Sequence, residues 1–297
     1  MTENHHSRSH ARFEVKAAEW DDMPVTRGVT ELVKSWIVRQ PWWKPPLDGP
    51  ALDFGCGTGC LTMALRDDLG DSVTGVDTSR AMLEQFDRKA EGKGVTTVAV
   101  ELTGPGQLGD GADDSFSLVY TCLTLHHIQD CKRTLSALAN YVRPGGRLLV
   151  FDFEATEDAH LFHPSEFQLG NELEHHGIRE ADLRGWCEGT GMLRDVSVDR
   201  ISFRKGQGED VSFGTGNEFQ MLAMSCVRKE EGVAARAARL SEGDSGDGCL
   251  ACKQREAEYE CMPCGCHAFC RGCAMKVATG GRCKRCKNMF TDLKRLR

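Results

Sequence analysis

The sequence predicts an α/β fold: a doubly wound sheet of seven strands, mostly parallel, with an antiparallel hairpin at one edge and a small zinc-stabilised domain after it. Three observations predict it. From Ala51 to Phe153, short apolar runs alternate with amphipathic helical stretches, the pattern of a parallel sheet covered on both faces. A glycine-rich turn separates the first of these runs from the helix that follows. Nine of the 15 cysteines lie between Cys249 and Cys286.

The elements follow in order. Residues 1–12 read as a disordered tail. Val29, Leu32, Val33, Trp36 and Ile37 recur at helical spacing, and four prolines between Gln40 and Pro50 end that helix. Strands are predicted at Ala51–Phe54, Val73–Asp77, Val95–Val100, Phe116–Thr121 and Arg147–Phe153. A helix at Leu61–Leu69 is closed by Gly70. Ser79 caps a helix bearing Met82, Leu83 and Phe86, and Asp130 caps one bearing Leu135, Leu138 and Val142. Pro144-Gly145-Gly146 turns the chain into the fifth strand. A helix near Glu180–Glu188 precedes Val196–Phe203 and Phe219–Val227, which form the edge hairpin around a Gly-rich loop. The predicted organisation is a tail (1–12), an α/β domain (13–228), a linker (229–248), a zinc domain (249–291) and a basic tail (292–297).

Composition fits a globular chain, with 40% hydrophobic and 27% charged residues. No apolar run has membrane-spanning length, and the polar, His-rich start is not a secretory signal. A cytoplasmic or nuclear location is the expectation, with thiols reduced and the cysteines serving as metal ligands or free thiols. Charge is unevenly divided. Residues 249–297 carry 11 basic and 4 acidic side chains, leaving 26 basic and 40 acidic on the preceding 248. A basic annex suits either the offsetting of zinc thiolates or nucleic acid. Aromatic stacking residues are scarce there, with Tyr259, Phe269 and Phe290 only, so nucleic acid is not the expected partner.

The turn reads Asp53-Phe54-Gly55-Cys56-Gly57-Thr58-Gly59, and Asp77 closes the next strand, where an acid can hold both hydroxyls of a ribose. Residues 51–59 resemble the first motif of class I S-adenosylmethionine-dependent methyltransferases, and Gly75-Val76-Asp77-Thr78-Ser79 resembles their second. Asp114-Ser115-Phe116, Leu125-His126-His127-Ile128 and Arg143-Pro144-Gly145-Gly146 follow in that family's order, though Ser117 stands where an acid is usual. Ala17-Ala18-Glu19-Trp20-Asp21 resembles a helix that lids the cofactor in small-molecule members of the type 11 kind. The resemblance spans about residues 13–228. It implies a Rossmann-like fold, S-adenosyl-L-methionine as cofactor and methyl transfer as the activity. Asp53 would orient the turn and the methionine amino group, Gly55, Gly57 and Gly59 would give backbone contact, and Asp77 would bind ribose. Glu101 would lie near the adenine, and Trp20, Cys56, Thr78 and Thr121 would complete the site.

A base is needed only where the acceptor must lose a proton. Imidazole titrates near neutrality, which makes His126, His127, His163, His175 and His176 candidates, with His127 and His163 preferred. Thr121-Cys122-Leu123-Thr124 holds no Asn/Asp-Pro-Pro-aromatic motif, which argues against nucleobase or glutamine amino groups as acceptors. The resemblance is to quinone-biosynthetic and other small-molecule enzymes. Cys56, Cys60, Cys122 and Cys131 read as small buried hydrophobes rather than arsenic ligands.

Cys249, Cys252, Cys264, His267, Cys270, Cys273, Cys283 and Cys286 supply eight zinc ligands in paired knuckles, enough for two tetrahedral ions. The order resembles a RING finger of a short kind, in which Cys266 is the alternative to His267. That resemblance implies cross-bracing: Cys249, Cys252, Cys270 and Cys273 on one ion, the remainder on the other. It also implies a protein partner such as a ubiquitin-conjugating enzyme beside Leu250 and Lys287. The alternative to a methyltransferase with a docking module is a RING-type ligase or adaptor whose first domain only binds the cofactor.

Overall fold

Five parallel strands make the centre of the sheet: β1 (Ala51–Phe54), β2 (Val73–Asp77), β3 (Val95–Ala99), β4 (Phe116–Cys122) and β5 (Val142–Phe153). β6 (Leu193–Lys205) and β8 (Asn217–Arg228) pair antiparallel, β8 is antiparallel to β5, and a two-residue β7 (Val211–Ser212) borders β6. The order is β3-β2-β1-β4-β5-β8-β6-β7. The mostly parallel sheet with its antiparallel hairpin is thus present, and β7 adds a short strand from the Gly-rich loop. The structure is a computed structural model that describes residues 13–70, 72–109, 111–162, 175–205, 211–212, 217–230, 249–252, 255, 257–262, 266–277, 281–282, 289–290 and 292–295. The chain forms two compact units, Met1–Lys229 and Glu230–Arg297.

Helices cover both faces. On one face α1 (Pro24–Val38) and α2 (Cys60–Ala64) bury Val33, Trp36, Ile37 and Leu61 against Ala51, Leu118, Tyr120 and Phe151. α3 (Arg80–Ala90) starts at Ser79, whose hydroxyl accepts the Met82 N–H at 3.2 Å, and packs Leu83 and Phe86 beside Cys56. On the other face α4 (Cys131–Tyr141) and α5 (Glu180–Gly189) place Leu135, Leu138, Leu183 and Cys187 on Leu52, Val119, Leu148 and Val150. The Asp130 carboxylate caps α4 by accepting the Arg133 N–H at 2.9 Å. Arg228, at the end of β8, is fully buried. Its guanidinium donates to Asp114 Oδ1 at 3.0 Å and to the Ala139 carbonyl, fastening the last strand to α4.

Two elements differ from expectation. The helix predicted to Leu69 ends at Ala64. Beyond it the chain continues as turns, with Asp68 N–H donating to Leu65 O at 2.9 Å, and Leu47 N–H donates to Asp68 O at 3.0 Å. β5 begins at Val142 rather than Arg147, because Phe116 already pairs with Val142 and the Pro-Gly-Gly segment is absorbed as a register irregularity.

In the C-terminal unit β9 (Tyr259–Met262) lies between β10 (Cys266–Phe269) and β13 (Asp292–Arg295), all antiparallel. β11 (Gly281–Arg282) pairs with β12 (Met289–Phe290), and α6 (Arg271–Ala274) is one helical turn. The stretch read as a basic tail therefore contributes β13, whose Lys294 pairs with Glu260 at 2.8 Å. Residues 231–248, read as linker, lie outside the described residues.

Candidate functional site

The glycine turn leaves the carboxyl end of β1, where the strand order reverses between β2 and β4. Open α/β sheets take their ligands at such a switch point. Gly55, Gly57 and Gly59 all have left-handed φ, at 67°, 52° and 76°. A Cβ at Gly55 would fall into the Thr124 side chain, and one at Gly59 into the Phe86 ring. At Gly57 a Cβ would meet nothing within 4 Å, so bare main chain faces open space. Gly57 N–H donates to Asp77 Oδ2 at 2.8 Å, and Ser79 N–H to Asp77 Oδ1 at 2.9 Å. These bonds fix the acid of β2 beside the turn of β1.

Asp53 lies beneath the turn, 3% exposed. Thr62 Oγ1 donates to its Oδ2 at 2.6 Å and accepts from the Tyr120 hydroxyl at 2.5 Å. Burial, with a smaller push from Asp77, raises the Asp53 carboxyl to about 7 against the pull of Thr62 and Tyr120. Between about pH 4 and 7 the folded chain therefore holds a proton that the unfolded chain has released. The contribution of the neutral acid is complete at low pH and is lost as pH rises through 7. Urea unfolding of the cofactor-free chain should show wild type losing stability relative to Asp53→Asn between pH 5 and pH 8. A constant difference would reject this account of the buried acid.

The segment resembling a lid joins this site. Trp20–Asp22 forms a short 3-10 turn. Asp21 Oδ1 accepts the Thr58 hydroxyl at 2.5 Å and the Cys60 thiol at 3.0 Å, while its other oxygen meets the Lys89 ammonium. Partial burial raises the Asp21 carboxyl, but Lys89, Thr58 and Cys60 together outweigh it and hold it below the usual carboxylate range. The Glu14 carboxylate accepts the Ala81 N–H at 3.4 Å. The Phe13 ring lies 5.5 Å from Trp20 and 5.2 Å from His127, each edge to face.

The remaining site residues are dispersed. Thr78 follows Asp77. Thr121, paired in register with Phe54, is fully buried, and its Oγ1 meets no hydrogen-bond partner among the described residues. Glu101, beyond the end of β3, is exposed. Cys56 and Cys131 are buried, and burial pushes Cys60 up to about 11 and Cys131 to about 12, as befits neutral packing groups. His127 ends the 3-10 turn Leu125–His127 that follows β4, whereas His163 lies outside the described residues. Sequence reasoning missed Asp152 of β5, whose Oδ1 lies 2.7 Å from His126 Nδ1. A lone acid within the apolar run Leu148–Phe153 was the available signal. It also missed Asp21 as an anchor, because its partners lie 37 to 68 residues away.

In the C-terminal unit the Sγ atoms of Cys249, Cys252, Cys270 and Cys273 all lie within 4.8 Å of one another. A tetrahedral Zn–S₄ site at about 2.3 Å per bond has sulfurs about 3.8 Å apart, and Cys252 Sγ and Cys270 Sγ are 3.9 Å apart. Burial opposes ionisation of Cys249, but the backbone N–H groups of Cys270, Cys252 and Ala251 prevail and bring it to about 6. Cys273 goes the other way, to about 12, through desolvation and its thiol neighbours. Such a donor set could hold a metal ion. Of the second predicted set, Cys264, Cys283 and Cys286 lie outside the described residues. His267 and its alternative Cys266 are placed on β10 by their backbone alone.

Comparison with known proteins bears on the first unit. Residues 52–150 match the family described as Methyltransferase domain. The chain is 30% identical over 222 residues to a ubiquinone biosynthesis O-methyltransferase of Aeromonas salmonicida, covering 68% of this chain and 91% of that protein. It is 31% identical over 150 residues to the 27-O-demethylrifamycin SV methyltransferase of Amycolatopsis mediterranei, covering 50% and 48%. Among solved structures, the magnesium protoporphyrin IX methyltransferase of Synechocystis with bound SAH superposes with a TM-score of 0.54. It shares 18% identity, over 76% of this chain and all (100%) of that one. No helix among the described residues is long and apolar enough to cross a membrane.

Proposed function

The chain belongs to the methyltransferase family and is an S-adenosylmethionine-dependent methyltransferase, and from that premise we propose that it methylates a small-molecule acceptor and carries a RING-like zinc module for docking a protein partner. The observation carrying the first half is the open space beside Gly57, with Asp77 fixed next to it at the switch point. The cofactor supplies a methyl group activated on a sulfonium. The chain's own part is to bind and orient. The bare main chain at Gly57 admits the cofactor, Gly55 and Gly59 give the turn its shape and its remaining backbone contacts, Asp77 accepts from the ribose hydroxyls, and Asp53 steadies the turn from below. Thr121, whose hydroxyl has no partner among the described residues, and Cys56, Thr78, Glu101 and Trp20 are the further candidates for this site. Holding donor and acceptor in line supplies much of the acceleration in such a displacement. The O-methyltransferases of quinone and rifamycin synthesis are models for the acceptor class. His127 and His163 are the sequence's candidates for a base.

Asp77→Ala deletes charge-assisted hydrogen bonds of about 1.5–3 kcal/mol each. Affinity for S-adenosylhomocysteine should fall at least about tenfold. Calorimetry giving equal affinity for variant and wild type would remove Asp77 from the site.

The second half rests on the four converging thiols. Two zinc ions are proposed, the second on Cys264, Cys283, Cys286 and either His267 or Cys266. A ubiquitin-conjugating enzyme is the proposed partner. The competing reading, a ligase or adaptor whose first unit merely binds the cofactor, separates cleanly. Labelled S-adenosylmethionine offered with small-molecule extracts yields a methylated product under the first reading. Autoubiquitination without any methylated product supports the second.

A further inference from the structure

We infer that Leu123 and Thr124, just past the end of β4, are positioning residues for the glycine turn: the strained backbone of Leu123 brings the Thr124 side chain back onto Gly55, and Thr124 fixes the turn that meets the cofactor. The inference rests on the cofactor reading above and deepens it. β4 ends at Cys122 and pairs with β1, so both residues stand at the carboxyl edge of the sheet, one strand from the glycine turn.

The backbone of Leu123 is the first observation. Among the described residues, three that are not glycine have left-handed φ: Asp114, Leu123 and Asp195. Aspartate adopts that region readily, because its short polar side chain can bond locally, whereas a bulky apolar side chain does so at a steric cost. Leu123, at 53°, is therefore the strained one. Strain of this kind persists only where the surroundings impose it. Here the Leu123 N–H donates to the Phe151 carbonyl of β5 at 2.8 Å. The side chain packs half-buried against the core that holds Leu118, Tyr120 and Phe151.

The second observation is what the kink delivers. The Thr124 hydroxyl donates toward the Cys122 carbonyl at 3.1 Å and the Gly55 carbonyl at 3.4 Å. A Cβ on Gly55 would fall 2.3 Å from both Oγ1 and Cγ2 of Thr124, so the threonine covers the face of Gly55 where a side chain would stand. β2 holds the same residue from the other side. Gly55 N–H and Cys56 N–H both donate to the Val76 carbonyl, at 2.8 and 3.1 Å. Gly55 is thus clamped between β2 and the end of β4, with its φ fixed at 67°. An extended residue 123 would carry Thr124 onward along β4 and leave only the β2 side of the clamp. Two residues beyond Gly55 lies the bare main chain of Gly57, whose direction the clamp sets.

Calorimetry with S-adenosylhomocysteine, beside urea unfolding of the same full-length variants to establish that each is folded, tests this. Two replacements at position 123 set backbone against packing. Leu123→Asn gives up the apolar contacts but takes left-handed φ readily, whereas Leu123→Val stays apolar but resists it. Leu123→Asn should bind within about threefold of wild type, and Leu123→Val about tenfold or more weakly. Thr124→Gly, which empties the clamp, should also lose about tenfold, while Thr124→Ser, which keeps the hydroxyl, should stay within about threefold of wild type. Should Leu123→Val fail to fold, the two Thr124 variants decide. Leu123→Asn binding no more tightly than Leu123→Val would make Leu123 a packing residue and overturn the inference. Thr124→Gly binding like wild type, or Thr124→Ser losing as much as Thr124→Gly, would overturn it as well. A wild type that does not bind S-adenosylhomocysteine removes the cofactor reading itself, and this one with it.

Discussion

Chelation should unfold the C-terminal unit and leave the N-terminal unit intact. The apolar cluster described in that unit is small: Cys261, Ala268, Phe269 and Ala274, with Leu250, Tyr259, Cys273, Val277 and Leu293 half-buried against them. One fully buried aromatic ring contributes about 1.5–3 kcal/mol, and ordering each residue costs about 1.5 kcal/mol, so the core among the described residues falls short of what ordering them costs. Zinc on thiolates contributes on the order of 10 kcal/mol. Metal analysis should find two ions per chain. After treatment with a strong chelator, limited proteolysis should digest the chain beyond residue 230 while the fragment before it survives with undiminished S-adenosylhomocysteine binding. One ion per chain would limit the metal to the four described cysteines. A protease-resistant C-terminal unit without metal would refute the metal's structural role.

Replacing Arg228 with methionine should destabilise the N-terminal unit by about 3–5 kcal/mol, because it strands a buried carboxylate. Asp114 is almost wholly buried, and the Arg228 guanidinium donates to its Oδ1 at 3.0 Å. The same guanidinium serves the Ala139 carbonyl, so β8, α4 and the approach to β4 come apart at one residue. Asp114→Asn in the same chain should recover part of the loss, since a neutral amide is cheaper to bury and asparagine tolerates the φ of 52° at this position. Urea unfolding of the three variants measures this. A single-variant loss below about 1 kcal/mol would show that the pair contributes no more than a surface bridge.

Much of this arrangement could be read from residue order. β1 and β2 fall at their predicted bounds because each is a short apolar run closed by a residue that cannot continue it. Ser79 and Asp130 announce their helices because capping is a local interaction of three residues. Cys249, Cys252, Cys270 and Cys273 lie together, the four that the resemblance put on one ion. What escaped was non-local. The role of Asp152 depends on β4 and β5 being neighbours in register, and that of Asp21 on a segment folding back over the glycine turn. Arg228 reads in the sequence as the last residue of the α/β domain, at the border of a charged linker, and only its depth in the fold shows it to be an internal fastener. The helix predicted to Leu69 was too long, because after Ala64 the chain passes into turns.

Bare backbone at Gly57 has one further consequence. The proposed cofactor contacts are written in main chain and in one acid, on β1 and β2, whereas the neighbourhood of Phe153 is packed by side chains. Phe153, Phe162, Phe203 and Phe219 cluster there, on β5, β6, β8 and the segment after β5. The two halves can therefore diverge independently. A contact made by main chain survives side-chain substitution, so residues on the hairpin side can change while the proposed cofactor contacts stay the same.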